Sequence, residues 1–422
     1  MTDSELNRRR WIIYLLLCFS YMMAFFHRYT PGVLSNELAG DLGLTATQLG
    51  TLSSLYFYAY GIVQIPVGVF TDRFGVRVIT TGGMIIMTLG AFLFGIATNT
   101  YVIYFARVLL GLGSAVFFVS TLRTISVWFA RDRFTTLLGW TSLQGNLGAL
   151  LAATPYSVLL MVMNWRDSYY LFAVVGLAIS FVLWRIVRDR PEDIDMEPDF
   201  NTARTPQNFS DILLGLKEVF KNLQFWRYFT IAFIILGSTM SLSGMWLVPY
   251  MTHVYEFSRN LASSLVVVMT VGVMLGAALL GLLEKRIRSR VKMIKISVTT
   301  ISLIWGFILW QGGKPSFITL LILIFVMGFI RMFVLTSFTS IENFFPTLKG
   351  SAKGVMNISP FLGTIIFNTL IGWRLDATWA GEIMDGSRVY TQTGYQQSFL
   401  IIFLFVLLAL FLSFGLKEDK ES

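Results

Sequence analysis

Long apolar runs separated by short polar connectors fill most of this chain. The pattern predicts membrane-crossing helices, because about 20 mostly apolar residues are needed to span the hydrocarbon core of a bilayer. Twelve such stretches are expected, at 11–36, 46–70, 77–97, 101–129, 134–160, 168–187, 227–253, 261–283, 293–312, 316–345, 352–374 and 394–415. The longest polar stretch, 188–226, opens with Arg188-Asp-Arg-Pro-Glu-Asp and closes on an amphipathic piece, Asp211–Leu223. Six spans precede it and six follow. The expected fold class is all-α integral membrane: a six-helix bundle over 1–187, a linker over 188–226 and a second six-helix bundle over 227–422. The halves rhyme weakly. Span four ends in Trp128-Phe129-Ala130 and span ten in Phe344-Phe345-Pro346. Each is followed by a basic loop and a glycine opening the next span, Gly139 and Gly354. Such repetition is what duplicated transporter halves show, although aromatic and basic residues also mark any membrane interface.

Composition narrows the picture. Hydrophobic residues make up 55% of the 422 and charged residues 14%, against about 25% charged in soluble domains. A soluble enzyme and a disordered chain are excluded. The single cysteine, Cys18, excludes a disulfide framework, and His27 and His253 are too few for a zinc site built on imidazole. No metal and no cofactor are expected. The net charge of +9 would suggest nucleic acid in a soluble protein. Here it reads as topology. Of the 33 Lys and Arg residues, 24 lie in the terminal segments, the linker and the loops on one side. Five, Arg166, Arg259, Lys314, Arg374 and Arg388, lie on the other, and four fall inside spans. The asymmetry predicts both termini and the linker on the cytoplasmic side of a bacterial inner membrane. The expected partners are membrane lipid and a small molecule, with no nucleic acid, and the expected state is a monomer.

Between spans two and three the chain reads Gly68-Val-Phe-Thr-Asp72-Arg73-Phe-Gly75-Val-Arg77. Gly68 is expected to let two helices approach closely, Gly75 to permit a tight turn, and Asp72 to meet a helix N-terminus or a neighbouring arginine. This run resembles the signature loop of the major facilitator superfamily. The second half carries only a degenerate version, Gly281-Leu-Leu-Glu284-Lys285-Arg286. Arg107-Val-Leu-Leu-Gly111-Leu-Gly113 on span four resembles a second superfamily motif, or else Arg107 snorkels to the membrane surface. Span five, with Gln144-Gly145-Asn146-Leu-Gly148, lacks the Gly-Pro adjacency of the superfamily's drug/proton antiporters. His27-Arg28, Thr121-Leu-Arg123, Trp128-Phe129 and Trp165-Arg166 look like the organic anion (anion:cation) symporter branch. The run from Gly50 to Gly68 also resembles the phagosomal transporter group of intracellular bacteria. The resemblance implies two six-helix bundles and alternating access, with Gly68, Asp72, Arg73, Gly75, Arg77, Arg107 and Arg123 serving the gates.

An ionisable residue at bilayer depth costs about 2.5–3.5 kcal/mol on insertion scales, so each calls for a reason. Arg28 on span one and Arg331 on span ten lie near mid-depth, and a guanidinium suits a planar anion held by two hydrogen bonds. Both are candidate substrate contacts, unless they bond helix-end carbonyls or Glu342. The resemblance agrees for Arg28, whose position matches the substrate-anion arginine of organic anion symporters. Tyr56, Tyr60 and Gln64 recur every four residues on span two, on one helix face. With Gln144, Asn146, Trp246, Tyr250 and Asn357 they are candidates to complete a cavity, helix packing or an aromatic belt being the alternatives. His27 stands where many symporters of that branch carry a proton-coupling acid. It is read either as a proton carrier or as an imidazole bonded between helices. Glu342 is the other coupling candidate, or else a salt-bridge partner of Arg123 or Lys349. No Gly-x-x-x-x-Gly-Lys-Ser/Thr or His-Glu-x-x-His occurs, which argues against ATP drive and a membrane enzyme. The expected function is secondary active transport of a small organic anion or zwitterion, as proton-coupled import. The alternatives are a multidrug or metabolite exporter of the same superfamily, or a membrane sensor that has lost transport.

Overall fold

The computed structural model describes residues 3–189, 217–345, 348–384 and 386–418. Most of the linker, 190–216, therefore lies outside the described residues, as does the start of its amphipathic piece. Each of the twelve apolar stretches is helical. Span one is the helix Asp3–Val33, continued by a short helix Ser35–Leu42. Spans two and three form one run, Ala46–Ile96, broken at Gly75. Span four is Thr100–Ser114 with Val116–Trp128, span five Phe134–Leu151 with Thr154–Leu159, and span six Trp165–Ile186. Span seven joins Leu223–Ser241 and Leu247–Val254 through a π-helical turn, Leu242–Trp246. Spans eight and nine are Arg259–Ile287 and Arg290–Trp310. Span ten joins Phe317–Ile330 and Thr336–Phe344 through a 3₁₀ turn, Arg331–Leu335. Spans eleven and twelve are Lys349–Ala377 and Gln392–Phe414, with a two-stranded hairpin, Ile383–Met384 and Ser387–Arg388, between them.

Among the described residues, ten helices are long and apolar enough to cross a membrane. Stretches 46–70 and 134–160 are not among these ten. The first carries Ser53, Ser54, Tyr56, Tyr58, Tyr60 and Gln64, and the second Thr135, Thr136, Thr141, Ser142, Gln144 and Asn146. The helix starts are set locally. The side chains of Asn99, Asn164, Asn222, Ser258, Ser289, Ser316 and Thr391 each accept a hydrogen bond from a backbone N–H two or three residues on, satisfying donors that a helix leaves unpaired at its first turn.

Two compact units result. The first comprises Met1–Thr30 and Leu55–Thr205, the second Pro31–Ser54 and Pro206–Ser422. The segment 31–54, which is early in the sequence, thus packs within the unit of spans seven to twelve. In that unit spans eight and ten meet backbone to backbone. A Cβ at Gly272 would fall on the Phe325 carbonyl oxygen, and one at Gly328 on the Met269 carbonyl oxygen. Small residues give such contact where lipid supplies no hydrophobic drive between helices.

Candidate functional site

In the first unit the polar centre is built on span one. Pro31 lies inside that helix and brings no N–H to bond the carbonyl four residues back, at His27. Two side chains replace the lost donor. Arg107 Nη1 donates to the His27 carbonyl at 2.6 Å and Thr30 Oγ1 donates to it at 3.1 Å. Arg107 Nη2 reaches the Arg28 carbonyl at 3.5 Å. Arg107 is fully buried, so the snorkelling alternative is corrected: its charge is spent on backbone dipoles that proline exposes.

One residue along, Arg28 is 4% exposed. Its guanidinium carbon lies 4.2 Å from the Phe25 ring centre, 4.8 Å from Tyr60, 5.5 Å from Tyr56 and 5.7 Å from Phe57. Aromatic faces attract a cation through their quadrupole, more so when water is excluded. Tyr60 also hydrogen-bonds with Arg28 and with Gln64. Tyr56 stacks on Tyr60 at 6.2 Å, and its hydroxyl donates to the Ala24 carbonyl at 2.9 Å. The expected face of Tyr56, Tyr60 and Gln64 is therefore assembled beside Arg28. His27 points elsewhere, among Phe26, Tyr169 and Phe172 with ring centres 5.7–5.8 Å away. Its Nδ1 is buried and has no hydrogen-bond partner among the described residues. On span five Asn146 donates to its own helix at Ser142, 2.9 Å, and Gln144 is half-buried. The glycine between them, Gly145, packs on Tyr21 and Phe25.

The signature loop is also in this unit. Asp72 is ion-paired with Arg123 of span four. Gly75 takes φ 84° and ψ 161°, and the Asp189 carboxyl occupies the space where a Cβ would stand. Asp189 Oδ1 accepts from the backbone N–H of Arg77 at 2.9 Å, an anion at the start of span three. The Arg77 side chain donates to the Trp184 carbonyl at 2.8 Å and lies 4.1 Å over the Trp184 ring. Arg73 lies 5.4 Å from the Phe74 ring centre. The expectation for Gly68 is corrected: a Cβ there meets open space, so no close helix approach depends on it.

In the second unit Arg331 opens the 3₁₀ turn of span ten and is 9% exposed. Its Nη1 donates to Thr239 Oγ1 on span seven at 3.1 Å. Trp246 ends the π-helical turn, buried, with no hydrogen-bond partner at Nε1 among the described residues. Tyr250 donates to the Gly313 carbonyl and packs 4.9 Å from Phe399, so its hydroxyl ties span seven to the turn after span nine. Asn357 is half-buried on span eleven. Glu342 is paired with Lys353, a partner not named from the sequence, and the Lys349 side chain lies outside what the structure describes.

Several residues were not singled out by sequence. Buried Asn368 accepts from Ser241 at 2.7 Å. At the start of span two, Asp376 Oδ1 accepts from the Ala46 N–H at 3.1 Å and Oδ2 from the Thr47 N–H at 2.8 Å. Tyr390 donates to Asp376 at 2.8 Å, and Arg259 pairs with Glu37. The available signal was Thr45-Ala-Thr-Gln48, a capping box: Thr45 N–H donates to Gln48 Oε1 at 2.9 Å and Gln48 N–H to Thr45 Oγ1 at 3.3 Å.

A probable L-galactonate transporter of Escherichia coli (strain K12) is 24% identical over 263 residues, covering 60% of this chain and 57% of that protein. The hexuronate transporter of Bacillus subtilis (strain 168) is 22% identical over 228 residues, 53% and 54% of the two chains. The chain thus spans between half and two thirds of the length of these curated relatives. A bacterial homolog of the human lysosomal transporter Spinster, solved inward-facing and unoccupied, superposes with a TM-score of 0.75 over 96% of each chain. At 16% identity that likeness is one of fold. The sequence profile of the Major Facilitator Superfamily matches residues 17–368, and the chain belongs to that superfamily of membrane transporters.

Proposed function

We propose that this transporter carries a small carboxylate, an organic anion or zwitterion of the sugar-acid or amino-acid kind, with Arg28 as its anchor. The carrying observation is the buried Arg28 guanidinium held against four aromatic rings. Ring faces hold the plane of a guanidinium, while its N–H donors lie in that plane at the edge, the geometry that meets a carboxylate with two parallel bonds. The names of the L-galactonate and hexuronate transporters support the same substrate chemistry. The chain is read as a symporter importing its anion with protons by alternating access, and His27 and Glu342 are the titratable side chains assigned to coupling. Both termini and the linker are read as cytoplasmic, from the distribution of basic residues.

Uptake into proteoliposomes of labelled sugar acids, other carboxylates and amino acids, with and without a pH gradient, tests this reading. Arg28→Lys should keep the charge, lose the bidentate edge and weaken binding at least about tenfold, since hydrogen bonds to charged groups are worth about 1.5–3 kcal/mol. Normal uptake of every transported carboxylate by Arg28→Ala would refute the anchor. Topology has its own check. A cysteine at Ile383, 61% exposed, should react with an impermeant reagent applied outside cells, and one at position 200 should not. The native Cys18 is buried, which leaves it a silent background.

A further inference from the structure

A second binding feature lies apart from this centre, on the first unit. Glu5, Arg8, Arg9 and Ile12 of span one and Arg185 and Ile186 at the end of span six line a groove of about 260 Å³. Positions 5, 8, 9 and 12 share one helix face. Among the described residues none of Arg8, Arg9 and Arg185 is ion-paired, and Arg185 lies 5.0 Å from the Phe181 ring centre. One carboxylate, Glu5, stands against three guanidiniums, so the lining is cationic. The groove does not stop at its basic rim. Ile12 continues into exposed Leu15 and Phe19 along span one. Span six is apolar and exposed further along, at Phe181 and Leu177. Cationic groups thus sit at the end of two apolar helix faces.

We infer that this groove binds one anionic diacylphospholipid, its phosphodiester on Arg8, Arg9 and Arg185 and an acyl chain along Ile12, Leu15 and Phe19. Guanidinium forks match phosphate oxygens. Basic pockets between spanning helices are suited to anionic headgroups, with each Arg near the surface contributing about fivefold in affinity. A small phosphate would use only the rim and leave the apolar wall uncovered, so charge and wall together favour the lipid over a soluble anion.

The test uses the purified full chain in a neutral detergent. Thermal unfolding and native mass spectrometry are read with phosphatidylglycerol, with phosphatidylcholine of identical acyl chains, and with glycerol 3-phosphate. Phosphatidylglycerol should be retained and should raise the melting temperature, the other two far less. Arg9→Gln with Arg185→Gln should weaken retention about twentyfold or more, by about fivefold for each arginine. Arg10→Gln, whose native side chain donates to Asn7 at 3.0 Å and is not part of the lining, should leave retention unchanged. Equal retention of the two lipids, or undiminished retention by the double variant, would overturn the site. Glycerol 3-phosphate displacing the lipid at equal concentration would overturn the role of the apolar wall and leave an anion site only.

Discussion

Pro31 and Arg107 show how one residue creates a need that another, distant in sequence, meets. Proline removes the donor for the His27 carbonyl, and Arg107 supplies one at 2.6 Å from 80 positions away. This account makes a double-mutant prediction. Arg107→Met should destabilise the protein by about 1.5–3 kcal/mol, the range for hydrogen bonds to a charged group. In a Pro31→Ala background the restored N–H satisfies the same carbonyl, so the cost of Arg107→Met should shrink by at least about 1 kcal/mol. Equal losses in both backgrounds, by thermal melts in detergent, would show that Arg107 does something else. Arg28 with Tyr56, Tyr60 and Gln64 was legible in the sequence because a charge in an apolar run and a four-residue spacing are both local signals. Arg107 was visible as a buried charge, but its use was not, since no spacing along the chain links residue 107 to a carbonyl at 27.

At the scale of helices, the apolar runs gave the spans, and glycine gave less than it promised. A small residue permits close approach without requiring it. Gly68 meets open space, while Gly272 and Gly328, which the sequence reading passed over, lie against neighbouring backbone. Gly75 is the position where both conformation and space are exacting. Its φ and ψ lie in a region open essentially to glycine, where a side chain costs about 1–3 kcal/mol, and the Asp189 carboxyl fills the space besides. Gly75→Ala should therefore lower stability by about 2 kcal/mol or more. Adding Asp189→Ala should relieve the overlap but not the strain, and should also lose the acceptor of the Arg77 N–H. A Gly75→Ala protein that melts with wild type would refute this account of the turn. The neighbouring Asp72–Arg123 pair is a different matter. Asp72 is 69% exposed, and exposed pairs contribute about 0–1 kcal/mol, so its worth to stability is small.

For the molecule as a whole, the telling segment is 31–54, which packs among spans seven to twelve. Small residues of span two lie along one face of span eleven, with Gly50 against Asn368, Ala46 against Gly372 and Ser54 donating to Ile365 at 3.2 Å. Asp376 completes that face by accepting the first two N–H groups of span two, and Ser387 donates to the Asn36 carbonyl at 2.7 Å. Burial and the adjacent carboxylate push the Tyr390 phenol above its ordinary range, so it stays a donor to Asp376 at physiological pH. None of this was legible beyond the capping box, because a cap that comes from 330 residues away leaves no local mark. Asp376→Ala leaves the Thr47 N–H to water and the Ala46 N–H with the Tyr390 hydroxyl alone, at 2.8 Å, and caps of this kind are worth about 1–2 kcal/mol. The population with segment 31–54 released should then rise about fivefold to thirtyfold. A single cysteine at Leu44, 2% exposed, reports it through its labelling rate. Asp376→Asn, which keeps one acceptor oxygen, should fall between wild type and Asp376→Ala, and adding Glu37→Gln, which weakens the pair with Arg259, should speed labelling further. If Leu44→Cys reacts at the same rate in all four backgrounds, Asp376 does not hold this segment in place.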